Sequence, residues 1–404
     1  MTQSTGSVKR DVLVVLLTLR AELIGRDSFI ATRKQVDGAI AFANAWRGRV
    51  RIWMEPALVP TLDMDRYSLR LADLPYEQVI APFDETPEVV LRDAAVVLCG
   101  TSHRQNHIPA VCRRVGVPCV NSSEYTLLTR LQIVAAEEQS LFTQLRRSSW
   151  ELRQEIRQRN AISLCQGLQA NGTPTYDAYA ELVASTHLYF DTRMSREMMI
   201  GDVELEYRLA GRPYDAAEPL RLAYSGRLAA MKGVQHLPAF ASTLRALGEK
   251  FTLEIFGDGP LMQSLADEIS ARELGSHVYL RGAVPFAAEL VPHMQRRVDL
   301  FICPHVQGDP SCTYIETMGC GVPVLGFSNE AFRGVLRRVP AAGGQCTLGD
   351  ATALATLVAS WAADRAKCAE ASRAALAFAR MHTFEETFSR RIDHLREVAD
   401  AHSS

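Results

Sequence analysis

Residues 299–326, DLFICPHVQGDPSCTYIETMGCGVPVLG, decide the fold of this chain. The apolar run 300–303 has the length and bulk of a buried parallel strand. After a polar loop, residues 314–320 are predicted to form a helix, and residues 322–325 begin a second apolar strand. This succession of strand, helix and strand indicates an α/β protein with a parallel sheet.

The loop inside this stretch is typical of an anion site, because it leads from the end of a strand into the N-terminus of a helix. Ser311 or Thr313 could cap the helix, and Gly321 is a common residue at a helix C-terminus. Glu316 lies in the first turns, beside the place where a ligand would bind. A carboxylate there suits hydrogen bonding to two sugar hydroxyls at once.

The composition indicates a soluble globular protein of two domains. The chain has 404 residues, with 47% hydrophobic and 22% charged residues and a formal net charge of −2. This charge gives no overall attraction to nucleic acid, and no apolar run approaches the roughly 20 residues that span a bilayer. The nine cysteines contain no C-x-x-C pair. We therefore expect a cytoplasmic protein with reduced thiols and no nucleic-acid partner.

Two β-α-β series are predicted, one in each half of the chain. The first has strands at residues 12–17, 50–53, 78–81, 96–99, 117–120, 162–165 and 188–190, and helices at 29–46, 108–115 and 124–160. Residues 201–220 are interpreted as a linker. The second has strands at 222–225, 252–256, 278–281, 300–303 and 322–325, and helices at 234–247 and 261–273. We predict doubly wound Rossmann-like domains at residues 1–200 and 201–383, and a helix at 384–404 that could pack back on the first domain.

Three segments of the second half are predicted to reach one crevice. Arg227 and Lys232 follow the strand at 222–225, and two cations there could hold a diphosphate or could equally be solvated surface charges. The turn 257–260 brings backbone close to a ligand, although such turns follow many strands. The third segment is the loop and helix at 308–316. The three segments, in this order and spacing, indicate a binding site more specifically than any one of them does alone.

This combination resembles the GT-B glycosyltransferases, in particular the retaining family 4. The matching segments are SGRL and KG within 225–233, LEIFGDGP at 253–260, LRGAV at 280–284, DLFICP at 299–304 and IETMGCGVPV at 315–324. The resemblance covers roughly residues 220–326, and the first half matches only in its β-α-β layout.

The resemblance implies two domains that face each other across a cleft and a donor site for a UDP- or GDP-linked sugar. Arg227 and Lys232, next to Gly226, would bind the diphosphate, Glu316 would hold the ribose, and Val284 would lie beside the base. The donor sugar would be contacted through the backbone of Asp309, Pro310, Ser311, Cys312 and Thr313. The family needs neither a metal nor a cofactor.

The chain departs from the family at one position. The ribose glutamate is usually paired with a second glutamate eight positions earlier, which contacts the donor sugar, and here that position is Gly308. Asp309 could take over this role after a shift of one residue, or the sugar could be held differently. The departure concerns the identity of the donor sugar more than the fold.

The first half offers one candidate for the chemistry. His103 follows a predicted strand at the cleft edge, and the resemblance implies a histidine near the reacting sugar, with His107 behind it. A loop histidine with only local hydrogen bonds is the alternative. Arg20, Gly25 and Arg26 could line the acceptor side.

Two metal-like signals are interpreted as structural. The D-x-D pattern at 63–65 lies in a polar segment outside the matched region, where a solvated loop is favoured. Cys303, Cys312 and Cys320 have no histidine at ligand spacing and are predicted to be buried small hydrophobes.

The arginine-rich helix around 141–159 could contact an anionic membrane. Glu151 and Glu155 dilute its positive charge, which favours an ordinary solvated helix. A protein at the inner face of a membrane is therefore the second prediction, after a cytoplasmic one.

The sequence predicts a retaining, metal-independent hexosyltransferase of polysaccharide or glycoconjugate synthesis, with His103, Arg227 and Lys232 as catalytic residues. Its acceptor is open and could be a lipid-linked glycan. The alternatives are a nucleotide-sugar epimerase of the same fold and a non-catalytic nucleotide-sugar-binding protein. A dinucleotide-dependent oxidoreductase would carry G-x-G-x-x-G after the first strand, and residues 18–29, TLRAELIGRDSF, lack it.

Overall fold

The computed structural model describes residues 10–60, 66–137, 140–210, 218–308 and 312–403. These residues form two α/β domains, each built on one parallel sheet, so the predicted doubly wound fold class is confirmed. The D-x-D pattern at 63–65 lies outside the described residues.

The first domain contains ten strands and six helices in the described part of the chain. The strands are β1 (Val12–Leu16), β2 (Glu22–Ile24), β3 (Ser28–Thr32), β4 (Val50–Met54), β5 (Arg66–Arg70), β6 (Glu77–Ile80), β7 (Ala94–Gly100), β8 (Cys119–Ser123), β9 (Gly167–Asn171) and β10 (Ser185–Tyr189). The helices are α1 (Arg33–Ala45), α2 (Pro87–Leu91), α3 (Ile108–Val115), α4 (Leu127–Glu137), α5 (Leu141–Ser163) and α6 (Thr173–Tyr179).

Seven of these strands form one sheet in the order β10-β9-β8-β7-β1-β4-β6, in which all neighbours are parallel. The central strand β1 reads VLVVL and is buried along its whole length. A parallel sheet covered on both faces requires such a continuous apolar run.

The helix predicted at 29–46 begins later than expected. Strand β3 occupies its first residues and pairs antiparallel with β2 and β5 in a small second sheet. Phe29 and Ala31 are buried and alternate with half-buried neighbours, which is the period of a strand. Helix α1 starts after Thr32, whose hydroxyl accepts from the amide of Gln35 in a capping box.

Three further boundaries were wrong. The helical pattern at 124–160 is two helices, α4 and α5, and not one. The strand predicted at 162–165 is the end of α5, and β9 follows it at Gly167. Helix α7 (Asp202–Ala210) occupies half of the predicted linker, and residues 211–217 of that linker lie outside the described residues.

The second domain has the strand order of a Rossmann fold. Its strands are β11 (Leu220–Ser225), β12 (Phe251–Phe256), β13 (Val278–Gly282), β14 (Leu300–Cys303), β15 (Val324–Phe327) and β16 (Gly343–Cys346). They form a parallel sheet in the order β13-β12-β11-β14-β15-β16, which reverses direction between β11 and β14. A crevice opens at the strand ends of such a reversal, and doubly wound proteins bind ligands there.

Eight helices complete the described part of the chain, and the last one returns to the first domain. They are α8 (Leu237–Ala246), α9 (Met262–Ala271), α10 (Val291–Arg297), α11 (Thr313–Gly319), α12 (Glu330–Arg338), α13 (Ala351–Ala362), α14 (Arg365–Arg380) and α15 (Phe384–Ser403). In α15, Phe388 packs edge-on against Phe42 of α1, with 5.3 Å between ring centroids. Among the described helices, none is both long and apolar enough to cross a membrane.

Candidate functional site

The segment that follows β11 is braced by its neighbour strand. The amide of Gly226 donates to the carbonyl of Phe256 (3.1 Å), and the amide of Leu228 donates to the carbonyl of Asp258 (2.9 Å). The side chain of Arg227 between them is exposed. Because the backbone is already fixed, the exposed guanidinium can bind an anionic ligand without a large loss of conformational entropy.

Gly233 closes the second end of this segment onto β14. Its φ is 68°, and a Cβ at this position would overlap the carbonyl oxygen of Pro304. Only glycine permits this approach. Lys232 therefore stands where β11 and β14 meet, at the reversal point of the sheet.

The turn 257–260 supports the same segment. The φ of Gly257 is 130°, and a Cβ there would overlap the carbonyl oxygen of Gly226. The amide of Gly257 donates to the carbonyl of Gly282 at the end of β13 (2.8 Å). The glycines of the turn thus bring it against the Arg227 loop, which is a structural reason for them that needs no ligand.

Glu316 lies in α11 and is only 8% exposed. Its carboxylate accepts from the guanidinium of Arg193, with Nε to Oε1 at 2.9 Å and Nη2 to Oε2 at 3.1 Å. The same guanidinium lies over the ring of Phe286, with 4.0 Å from Cζ to the ring centroid. A ribose that used both oxygens of Glu316 would therefore compete with Arg193.

Val284 follows β13 and packs into the same apolar cluster as Phe286. The residue predicted to lie beside the base thus belongs to the same cluster as the aromatic ring under the Arg193 guanidinium. Neither Arg193 nor Phe286 lies in a recognisable motif, so the sequence indicates neither of them.

Gly308, the position of the departure, lies next to a carboxylate from another element. A Cβ on Gly308 would be 3.2 Å from Oε2 of Glu330, the first residue of α12. The backbone of Gly308 is held by the first domain, because its amide donates to Gln132 Oε1 (3.1 Å) and its carbonyl accepts from the hydroxyl of Thr129 (3.3 Å). Asp309, Pro310 and Ser311 lie outside the described residues.

Helix α11 begins with Cys312 as its N-cap residue and Thr313 as its first residue, without a side-chain capping bond. The Cys312 thiol lies 3.5 Å from Nζ of Lys34, which forms an ion pair with Asp191. Burial, followed by the charge of Asp191, raises the pKa of Cys312 to about 12. Cys312 therefore remains a neutral thiol at the boundary of the two domains.

All nine cysteines are free thiols. Cys303 and Cys320 are buried, as predicted, whereas Cys312 is only half-buried.

His103 lies at the rim of a cavity in the first domain, which we call the N-terminal cavity. It has a volume of about 600 Å³ and opens at the ends of β1, β7 and β8, between α1, α5 and α15. The ring of His103 contacts Trp150 edge-on at 5.4 Å. Burial, and next the charge of Arg104, lowers the pKa of His103.

The other first-half candidates do not join this cavity. Nε2 of His107 lies 3.1 Å from the carbonyl of Phe83, which is a local structural contact. Arg20, Gly25 and Arg26 follow β1 but are absent from the described lining of the cavity. Gly25 instead forms the turn between β2 and β3.

One wall of the N-terminal cavity comes from α5, for which the sequence predicts only a charged helix. Trp150, Glu151, Gln154 and Gln158 face the cavity. Residues at positions i, i+4 and i+8 share one helix face, so a polar stripe within the helical pattern was the signal that could have indicated this wall.

The fold is that of the GT-B glycosyltransferases, as the resemblance predicted. Residues 215–377 match the family model described as "Glycosyl transferases group 1". A comparison with curated protein sequences finds no match.

The chain is similar to solved structures along nearly its whole length. HepE (Alr3699) of Anabaena, in complex with UDP, has a TM-score of 0.65 and 16% identity, over 96% of this chain and 99% of that chain. Sucrose-phosphate synthase (tll1590) of Thermosynechococcus elongatus has a TM-score of 0.62 and 15% identity, over 98% of this chain and 100% of that chain. The lipopolysaccharide outer core galactosyltransferase WaaB has a TM-score of 0.62 and 11% identity, over 96% of this chain and 99% of that chain. At these identities the similarity establishes the GT-B fold.

Proposed function

We propose that this protein is a retaining glycosyltransferase that moves a hexose from a nucleotide-diphosphate sugar to an acceptor held by the first domain. The observation that carries the proposal is the contact between Gly233 and Pro304, which places the Arg227 and Lys232 segment beside the strand that leads to Glu316. This arrangement supports a proposed diphosphate site and a proposed ribose site near the reversal point of one sheet.

In this proposal, the two cations stabilise the negative charge that develops on the leaving diphosphate. Arg227 offers a planar fork of donors and Lys232 a compact positive charge. Charge stabilisation of this kind is usually the largest catalytic contribution. These two side chains supply the positive charge that a metal ion provides in other enzymes, so we propose that the reaction needs no metal.

Retention follows if the leaving phosphate helps to deprotonate the acceptor on the same face of the sugar. His103 would then position the acceptor rather than act as a strong base. Its lowered pKa keeps its ring neutral near neutral pH, which suits a hydrogen-bonding role.

Uridine diphosphate sugars are the donors to test first. The similar HepE structures contain UDP and, in another crystal, UDP-glucose. A role in polysaccharide or glycoconjugate synthesis, with a glycan acceptor on a lipid carrier, is our proposal for the biological context.

A thermal-shift screen of nucleoside diphosphates tests the donor site. At a ligand concentration of about 100 times Kd, binding to the folded state contributes about 2.7 kcal/mol and raises Tm. We expect one nucleotide, UDP first, to stabilise both the wild type and the control variant Arg272→Ala, which changes an exposed arginine at the C-cap of α9. Arg227→Ala and Glu316→Ala should each lower the affinity for that nucleotide about 100-fold, since each removes charge-assisted hydrogen bonds.

Two outcomes would redirect the proposal. If no nucleotide stabilises the folded wild type, the transferase function is wrong. If the donor sugar is converted to its epimer with no acceptor present, the protein is a nucleotide-sugar epimerase.

We also propose that α5 docks the enzyme on the inner face of an anionic membrane. The outward side chains of Leu141, Phe142, Leu145, Leu152 and Ile156 are between 50% and 77% exposed. A contiguous exposed apolar face of this kind marks an interaction surface.

The charge of this face also fits an anionic lipid surface. Arg146, Arg153 and Arg157 are exposed on its flank. Glu151 and Glu155, which were expected to dilute the charge, turn inward and pair with Arg130. Apolar side chains with flanking arginines on one helix face are typical of interfacial membrane binding.

Vesicle sedimentation tests the membrane contact. Wild-type protein should bind vesicles with anionic lipid and not vesicles of phosphatidylcholine alone. The double variant Leu145→Ser/Ile156→Ser should lose most of this binding, whereas Val203→Ser, which is 83% exposed on α7, should keep it. Equal binding by all three proteins, or a concentration-dependent dimer that the double variant abolishes, would contradict the proposal.

A further inference from the structure

The wall that α5 contributes to the N-terminal cavity carries two glutamines one helical turn apart. Gln154 and Gln158 are 6% and 4% exposed, and both line the cavity. Their Cβ atoms are about 6 Å apart, as for any i and i+4 pair on one helix face. One small ligand can therefore reach both side chains.

Each glutamine has a buried amide atom that lacks a hydrogen bond. In the part of the chain that the structure describes, Oε1 of Gln154 and Nε2 of Gln158 have no partner. A buried polar group left unpaired costs about 1–3 kcal/mol, and folded proteins seldom retain one without a reason. Here an acceptor and a donor face the same cavity, so a ligand that both donates and accepts hydrogen bonds would satisfy them.

The cations that line the cavity are already engaged with protein groups. Lys34 pairs with Asp191, and Nη1 of Arg130 lies 3.2 Å from a carboxylate oxygen of Glu151. Arg391 donates to a buried glutamine of β9 (2.8 Å). A phosphate or carboxylate ligand would have to compete with Asp191 for Lys34 or with Glu151 for Arg130, whereas an uncharged ligand would not.

The cavity mouth is aromatic. Trp150 is 42% exposed there and contacts His103 edge-on. An indole offers a flat apolar face together with one N–H donor. Such a face suits the C–H side of a sugar ring, while the glutamines suit its hydroxyls.

We propose that the N-terminal cavity binds an uncharged, hydroxyl-rich saccharide unit of the acceptor, through Gln154 and Gln158. One hydroxyl donates to Oε1 of Gln154 and another accepts from Nε2 of Gln158, because every hydroxyl can do both. This inference rests on the proposed glycosyl transfer and narrows the acceptor to a neutral glycan.

The test compares neutral and anionic probes on matched variants. The probes are the methyl pyranosides of glucose, galactose and mannose, and the anions glucuronate and glucose 6-phosphate, each titrated by ligand-observed NMR with UDP present. The variants are Gln154→Leu and Gln158→Leu, with Gln263→Leu as the same change on the exposed surface of α9.

We expect at least one neutral pyranoside to bind the wild type and the Gln263→Leu control equally. Its affinity should fall about tenfold or more in either cavity variant, as expected when one hydrogen bond is lost. The Tm of the cavity variants should be unchanged or higher, because leucine removes an unpaired buried group. A glutamine that served only the fold would give the opposite, a lower Tm with unchanged sugar binding.

Three results would overturn the inference: no neutral pyranoside binds, an anionic probe binds more tightly than the neutral ones, or the cavity variants bind sugar like the wild type. Stabilisation by UDP, measured on the same samples, separates this failure from failure of the donor site. If UDP binds and the sugars do not, the inference about the acceptor is wrong and the proposed donor site is unaffected.

Discussion

The two sides of the cleft are built in different ways. The proposed donor side belongs to the second domain, and its candidate groups come from three short segments that follow β11, β12 and β14. Backbone approaches at Gly233 and Gly257 bring these segments together. The N-terminal cavity instead collects side chains from strands, from α1 and α5, and from α15 at the far end of the chain.

This difference determines how well each of the two sites can be predicted from the amino-acid sequence. A site made from turns at strand ends needs particular residues at fixed short spacings, so glycines and charged residues form a motif. A cavity wall on a long helix needs only a polar residue every fourth position, which any solvated helix also has. The donor side could therefore be proposed from the sequence, and the wall that α5 contributes to the N-terminal cavity could not.

The largest expected effect tests whether the donor side depends on backbone approach. Gly233→Ala should destabilise the second domain by about 3 kcal/mol, since it adds a methyl group against the Pro304 carbonyl at a positive φ. The control is Gly248→Ala, which has a φ of 83° but nothing within 4 Å of the new Cβ, and should cost about 1 kcal/mol. Urea unfolding of both variants measures the difference. Equal losses would show that the close approach does not matter.

The fold was predictable as far as its parallel sheets, because buried strands such as β1 and β14 are short continuous apolar runs. The small antiparallel sheet was missed, since β3 continues directly into α1 and was merged with it. The strand at 162–165 was wrong because the apolar end of α5 resembles a short strand in length and composition.

Candidate residues for the site could be named from the sequence where residue type and spacing coincide, as for Arg227, Lys232 and Glu316. The Arg193 partner of Glu316 could not be found, because it lies 123 residues away in a segment without a motif. Nor could Glu330 be connected with Gly308, since only the packing of α12 brings the two together.

A second prediction concerns the contact between the sheet of the first domain and the C-terminal helix α15. His187 of β10 stacks on His394 of α15, with 5.7 Å between ring centroids. Burial, and next the positive charge of His394, lowers the pKa of His187 to about 4. A histidine that is neutral when folded and titrates near 6.5 when unfolded contributes stability that is complete above about pH 6.5 and is lost as the pH falls towards 4.

This loss should reach about 2 kcal/mol at about pH 5. We expect Tm to fall between about pH 7 and pH 5, and to fall less in His187→Gln. His402→Gln, an exposed histidine near the end of α15, should keep the wild-type slope. A His187→Gln slope equal to that of the wild type would mean that α15 is held to the sheet without this buried pair.

The smallest expected effect bears on the point where the two sides meet. Arg193 donates to both oxygens of Glu316, so a ribose in the proposed donor site would compete with it for the carboxylate. Arg193→Ala removes the competitor and leaves a buried carboxylate in need of donors. Because the arginine side chain is 46% exposed, the pair is screened by solvent and its loss should change affinity only modestly.

We therefore expect UDP to bind Arg193→Ala about tenfold more tightly than the wild type in calorimetric titrations. Arg193→Lys should lie between the two, since an ammonium keeps the charge but not the two-point geometry. Arg272→Ala should match the wild type. Weaker binding by Arg193→Ala would mean that this arginine holds the nucleotide itself. In that case the donor side, like the N-terminal cavity, would depend on a residue that no local motif indicates.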